Sequence, residues 1–168
     1  MKLKTPITQE KLKDVLHYEL GTGEFLWRKD RNSRAKKGDR AGYIRPDGYV
    51  IFNISGGGTL LGHRLAWLYV HGDWPSGFID HANGNKSDNR IANLRPATRA
   101  QNNMNKGPGA SNKSGVKGVS KDSNGKWHAY IGIDGRLHSL GRFEALDEAA
   151  ATRVAAEREL FGEFARCA

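Results

Sequence analysis

A chain of 168 residues holds one ordinary domain or two small ones, each with a modest core. Lys and Arg outnumber Asp and Glu by 27 to 18, a net charge of +9 that favours a polyanionic partner, either nucleic acid or an anionic membrane surface. No window approaches the roughly 18 uninterrupted apolar residues of a membrane span, and the opening MKLKTPITQEKLK lacks the apolar centre of a signal peptide, so a soluble, cytoplasmic protein is expected. Cys167 is the only cysteine, which excludes an intramolecular disulfide and a cysteine-ligated zinc; any metal must be held by oxygen or imidazole.

In chain order, Thr8 can cap a first helix in which Glu10 lies in the first turn and Leu12, Val15 and Leu16 recur at helical spacing. Gly21-Thr22-Gly23 reads as a turn into a strand at Glu24–Trp27, and residues 42–54 read as a strand pair around Asp47-Gly48. The Lys/Arg-rich stretch 28–40 joins them. His63 to His71 reads as a buried helix with Leu65, Leu68 and Tyr69 on one face and Gly72 as its stop; both histidines read as structural. Phe78-Ile79-Asp80-His81 reads as a strand, 83–89 as a turn-rich loop and 90–94 as a returning strand, after which Thr98 caps a short helix carrying Asn102. The stretch KGPGASNKS at 106–114 has nothing to bury and marks a linker at 106–113. Beyond it come three candidate strands near 116–121, 126–133 and 136–141, then a helix from about Leu146 to Phe161, ended by Gly162. Its alanines 149, 150, 151, 155 and 156 would let it lie close on a sheet.

The stretch from Asp80 to Asn105, DHANGNKSDNRIANLRPATRAQNNMN, resembles the HNH endonuclease motif. Asp80-His81, Asp88-Asn89-Arg90, Asn93-Leu94-Arg95 and Asn102 fall in register, and nine positions separate Asn93 from Asn102, as in that family. The resemblance implies a ββα-metal (His-Me finger) arrangement. In it His81 is the general base, and Asp80 and Asn102 hold one divalent ion at the scissile phosphate. Asn93 pins the loop that bears the base. An all-oxygen protein shell favours Mg2+ or Mn2+ over zinc. Arg90 and Arg95 are candidates to grip backbone phosphates. The HRLAW segment beginning at His63 also resembles the helix that precedes the motif in phage-type members, so the resemblance reaches most of residues 1–105.

The remaining segment from Ser114 is similar to the Apetala/ethylene-response-factor type of DNA-binding domain, through Ser-Gly-Val-Lys-Gly-Val, Gly125-Lys126-Trp127, Leu140-Gly141-Arg142-Phe143 and the alanine-rich helix. That resemblance implies a three-stranded antiparallel sheet entering the major groove with one helix behind it. Charge supports it independently: residues 113–143 carry six basic and two acidic groups, and 144–168 carry three and six, so the sheet is basic and the helix acidic. Alternation turns Trp127, Ala129 and Ile131 to the helix and leaves His128 and Tyr130 on the open face. Lys117 and Lys121 match DNA-contacting positions of the family, and Lys126 and Arg136 are further candidates. Leu137 and Ser139 stand where plant members carry Arg and Trp, which argues against plant-type target sequences.

The fold class expected is therefore α+β, with a nuclease domain at 1–105, a linker at 106–113 and a sheet-plus-helix domain at 114–168. The function expected is metal-dependent cleavage of double-stranded DNA by a phage or mobile-element endonuclease targeted by its C-terminal domain. One site cuts one strand, so a double-strand break requires a homodimer or sequential nicks. The alternative is a catalytically silent, sequence-specific DNA-binding regulator. An RNA-directed protein is disfavoured because no strand is rich in stacking aromatics.

Overall fold

The computed structural model describes residues 7–54 and 58–166; residues 1–6, residues 55–57, Cys167 and Ala168 lie outside the described residues. The chain divides into two compact units, 1–99 and 100–168. The division falls upstream of the Gly/Pro-rich stretch at 106–113, which belongs to the second unit.

In the first unit, the Thr8 hydroxyl accepts from the Lys11 amide at 3.3 Å and caps α1 (Gln9–Val15). The helical spacing that includes Leu16 does not continue the helix. Leu16 opens β1 (Leu16–Tyr18), whose buried–exposed–buried alternation follows the period of a strand, and β1 pairs antiparallel with β2 (Phe25–Trp27). The pair around Asp47-Gly48 forms as β3 (Tyr43–Ile44) and β4 (Val50–Ile54), joined by an additional strand, β5 (Gly58–Leu61), in the order β3-β4-β5. Next comes α2 (Gly62–His71), ended by Gly72 in a left-handed conformation. The core joins Leu12, Leu16, Phe25, Phe52, Leu65, Leu68, Ile79 and Leu94, and the Phe25 ring meets those of Tyr18 and Phe52 at 4.8 and 5.2 Å.

Two short strands complete this unit, β6 (Phe78–His81) and β7 (Leu94–Ala97), with Asp80 opposite Arg95 and His81 opposite Leu94. The return to β7 differs from a strand over 90–94: Ile91–Asn93 form a single 3-10 turn closed by the Asn93 amide donating to the Arg90 carbonyl at 2.8 Å. Strand pairing therefore starts at Leu94.

The helix α3 (Arg99–Met104) straddles the division between units. The second unit contains β8 (Val119–Lys121), β9 (Trp127–Ile133) and β10 (Arg136–Phe143) as an antiparallel sheet in the order β10-β9-β8, with α4 (Leu146–Phe161) packed on it. Asp134 and Gly135 both have positive φ, 49° and 77°, as a two-residue hairpin turn requires. The core is small: Val119, Ala129, Ile131 and Ala149 are almost fully buried, with Trp127, Leu140 and Phe143 beside them. The inward assignment of Trp127, Ala129 and Ile131 matches this arrangement. The alanine-rich face does not act as a whole, because Ala151 and Ala155 are exposed; the buried stripe of α4 is Ala149, Arg153, Glu157 and Phe161 at successive i+4 positions.

Candidate active site

His81 is the last residue of β6 and is 3% exposed. Its Nε2 lies 3.2 Å from Asn89 Oδ1. Because an amide oxygen can only accept, Nε2 carries the proton and Nδ1 is the basic nitrogen. Asn89 is itself fixed from several sides: its Nδ2 donates to the Ser87 carbonyl at 3.4 Å, and its carbonyl accepts from the Tyr18 hydroxyl at 2.6 Å. Burial pushes that phenol up to about 12. Two glycines make the approach: a Cβ at Gly62 would meet Asn89 Nδ2 at 2.9 Å, and one at Gly23, where φ is +75°, would meet the Arg90 amide nitrogen at 2.3 Å.

Two further aromatic residues enclose the imidazole. His63 from α2 meets it edge-on at 5.1 Å between ring centres, and Tyr49 lies 6.0 Å from it and 5.4 Å from His63. Burial lowers the affinity of His81 for a proton, offset in part by the bond to Asn89 and the charges of Asp80 and Asp88. Burial, with the neighbouring His81 and Arg64, pushes His63 down to about 3. A neutral ring at position 81 is the state a general base needs.

Asp80 is 4% exposed and faces Arg95 across the ladder; Arg95 Nε and Nη2 donate to Asp80 Oδ2 at 2.9 and 2.7 Å. Arg95, expected at backbone phosphates, is thus engaged with the candidate metal ligand. Arg90, expected in the same role, donates to both oxygens of Asp88 at 2.8 and 2.6 Å and thereby holds that carboxyl at about 2. Asn93 has a clear structural task. Its Oδ1 accepts from the Asn83 amide at 3.0 Å and its Nδ2 donates to the Asp88 carbonyl at 2.8 Å, closing the loop between them.

No group of three or more His, Cys, Asp or Glu side chains among the described residues could hold a metal. A cation here would bind Asp80, an amide oxygen, phosphate and water, a sparse oxygen set of the kind magnesium takes. Asp80 has the donor chemistry for such an ion, but its buried carboxylate is already balanced by Arg95, with which an ion would have to share it. Asn102, the second candidate ligand, lies half-buried on α3 across the division between units.

In the second unit, the Lys117 ammonium is turned inward, away from its expected role at phosphate: it donates to the carbonyls of Asn103 and Met104 at 2.9 and 2.7 Å, and burial lowers its pKa. Lys121 is exposed, 5.4 Å from the Trp127 ring centre. Lys126 pairs with Glu144 at 2.6 Å, and Arg136 is exposed at the start of β10. His128 contacts Ser139 Oγ at 2.9 Å and lies 5.6 Å from the Tyr130 ring, both half-buried. Leu137, directly opposite Gly132 on the same sheet, is 74% exposed. Asn89, His63 and Tyr49 carry no individual signal of their site role in the sequence; the Asp88-Asn89-Arg90 run gives a register but not the contact.

The β6–β7 hairpin thus presents a buried acid and a buried imidazole in tandem, with an asparagine-pinned loop between its strands. The family model described as HNH endonuclease matches residues 61–104, from the end of β5 through α3. The chain is 35% identical over 126 residues to the uncharacterized HNH endonuclease L560 of Acanthamoeba polyphaga mimivirus, covering 73% of this chain and 64% of that protein. It is also 35% identical over 106 residues to protein 3.8 of Escherichia phage T7, covering 62% of this chain and 87% of that protein. No solved structure matches the chain. Residues 61–104 thus form an HNH endonuclease domain, within a chain similar to these two viral proteins.

Proposed function

We propose that this protein is a divalent-metal-dependent endonuclease that hydrolyses phosphodiester bonds in double-stranded DNA, with His81 as general base. The observation that carries this is the buried His81 ring with Nε2 committed to Asn89, next in the chain to a buried Asp80, inside the segment matched by the family model. Asn89 orients the ring so that Nδ1 takes the proton of the attacking water. Asn93 keeps the loop between the strands closed. Asp80 and Asn102 are the protein ligands for one Mg2+ or Mn2+ ion in a ββα-metal arrangement. When bound, such an ion neutralises charge on the scissile phosphate and on the leaving 3′ oxygen.

The second unit is proposed as the targeting module, in the manner of an Apetala/ethylene-response-factor-type domain. Two features support this: the antiparallel sheet backed by one helix, and the surplus of basic groups on the sheet segment. Lys121, Lys126, His128, Tyr130 and Arg136 are the residues proposed to meet DNA, and tethering raises the local concentration of the cutting site near its target. Cutting both strands would take two copies of the chain or two successive nicks.

The test is plasmid cleavage with Mg2+ and with EDTA, for the unaltered protein and for His81→Ala. Cleavage only with the ion, lost by roughly 100- to 10,000-fold in His81→Ala while duplex binding persists, is the expected outcome. Equal cleavage by the variant removes His81 from the chemistry. Binding without any cleavage would instead favour a silent DNA-binding regulator.

A further inference from the structure

Asp80 and Arg95 face each other across the β6–β7 ladder, their side chains 5% and 17% exposed. Two guanidinium N–H groups converge on one carboxylate oxygen at 2.9 and 2.7 Å. A carboxylate this deeply buried needs a positive partner, and Arg95 is that partner. A divalent ion bound to Asp80 would add two more positive charges beside the guanidinium. Both would draw on the same carboxylate, in a setting that water screens poorly. Arg95 therefore opposes the ion as long as it stays on Asp80. Its greater exposure and planar fork suit it to a second anion, the phosphodiester.

We infer that Arg95 is a resident counter-cation that sets the divalent-ion affinity of Asp80 and makes ion loading depend on the arrival of the duplex. The inference rests on the proposed role of Asp80 as metal ligand. A phosphate that draws the guanidinium away leaves Asp80 to the ion, and by linkage the ion then strengthens duplex binding by the same factor. The free protein holds the ion weakly; the complex holds it well. Arg95 acts here through Asp80 and is a positioning residue.

The test reads ion binding directly, by the electron-spin-resonance signal of free Mn2+ titrated into the full-length protein, with and without an unlabelled duplex whose own Mn2+ uptake is subtracted. All proteins in the duplex arm carry His81→Ala to prevent cleavage. Arg95→Gln is expected to tighten Mn2+ binding by roughly tenfold or more in the free protein. The duplex should tighten it by a comparable factor in the Arg95 protein and much less in Arg95→Gln. Arg95→Lys keeps a charge without the fork and should fall between the two; it carries the test if Arg95→Gln does not fold. Unchanged or weaker Mn2+ binding in both Arg95 variants overturns the inference, provided that Asp80→Asn weakens binding. If Asp80→Asn leaves Mn2+ binding as it was, the metal-ligand role of Asp80 fails, and the inference fails with it.

Discussion

The two units bury polar groups in different ways. Around β6 and β7, most buried polar side chains are hydrogen-bonded to side chains or backbone: His81 to Asn89 Oδ1, Asn89 Nδ2 to the Ser87 carbonyl, Asn93 to the Asn83 amide and the Asp88 carbonyl, Asp80 to Arg95. His63 is the exception, with Nδ1 buried and no hydrogen-bond partner among the described residues. In the second unit, Arg153 and Glu157 are buried under the sheet as an i,i+4 ion pair at 3.3 Å, and Arg153 Nε and Glu157 Oε1 lack hydrogen-bond partners. The first arrangement fixes atoms at defined distances, as chemistry demands. The second fills the space beneath a small sheet with charge, stacked 5.9 Å from the Phe161 ring, and it fixes little beyond helix packing.

The largest expected effect follows from that difference. Arg153→Ala leaves Glu157 buried without its partner and should cost the second unit about 3–5 kcal/mol, whereas replacing both members by apolar residues of similar volume, Arg153→Met with Glu157→Leu, should restore most of it. Hydrogen exchange of α4 amides measures this. If the double variant is as unstable as the single one, the pair contributes geometry as the first unit's groups do, and the contrast breaks. In the first unit, Asn89→Ala should cost only about 1–3 kcal/mol of stability. It should lower kcat by roughly 10- to 100-fold with KM little changed, because the ring of His81 then loses its fixed tautomer. An equal fall in kcat/KM through KM alone would make Asn89 a residue of the loop rather than of the base.

The same contrast explains what could be seen in the sequence. Asp80, His81 and Asn93 stood out because their segment resembles the HNH motif in register, and α4 was legible because its alanine-rich stretch runs up to Gly162. The partners were not legible. Asn89 reads as one more turn residue, and His63 and Tyr49 lie on α2 and between β3 and β4, so only the folded core brings them to His81. Leu16 misled because a spacing of four from Leu12 suits a helix, while the pairing with Trp27 draws it into β1. The burial of Arg153 and Glu157 was not legible, because a charge count along the helix segment ignores which side the sheet covers.

Acid offers a smaller perturbation that separates the units. In the unfolded chain His63 titrates near 6.5, and in the fold it is pushed down to about 3. Below pH 6.5 the unfolded state takes up a proton that the folded state refuses, so stability falls with pH from that point until the folded value is reached. The slope from this residue is at most about 1.4 kcal/mol per pH unit, and the lowered pKa of His81 adds to it. Urea midpoints of the unaltered protein should fall between pH 7.5 and pH 5, and His63→Phe, which keeps a ring against His81, should flatten that fall. A slope unchanged in His63→Phe would assign the acid sensitivity elsewhere.

The smallest effects distinguish two lysines four positions apart. Lys117 satisfies the carbonyls that end α3, so its charge is spent inside the protein; Lys121 holds its ammonium at the surface beside Trp127. Lys117→Gln should therefore cost about 1 kcal/mol in the second unit and leave the salt dependence of duplex binding nearly unchanged. Lys121→Gln should change stability by less than about 0.5 kcal/mol but lower the slope of log K against log salt by about one, the signature of a single lost phosphate contact. Fluorescence anisotropy of a labelled duplex across a salt series, run beside thermal unfolding of each variant, reads both quantities. If the slope falls for Lys117→Gln and not for Lys121→Gln, then the inward lysine leaves its carbonyls when DNA binds, and the sheet meets the duplex along the edge that precedes β8.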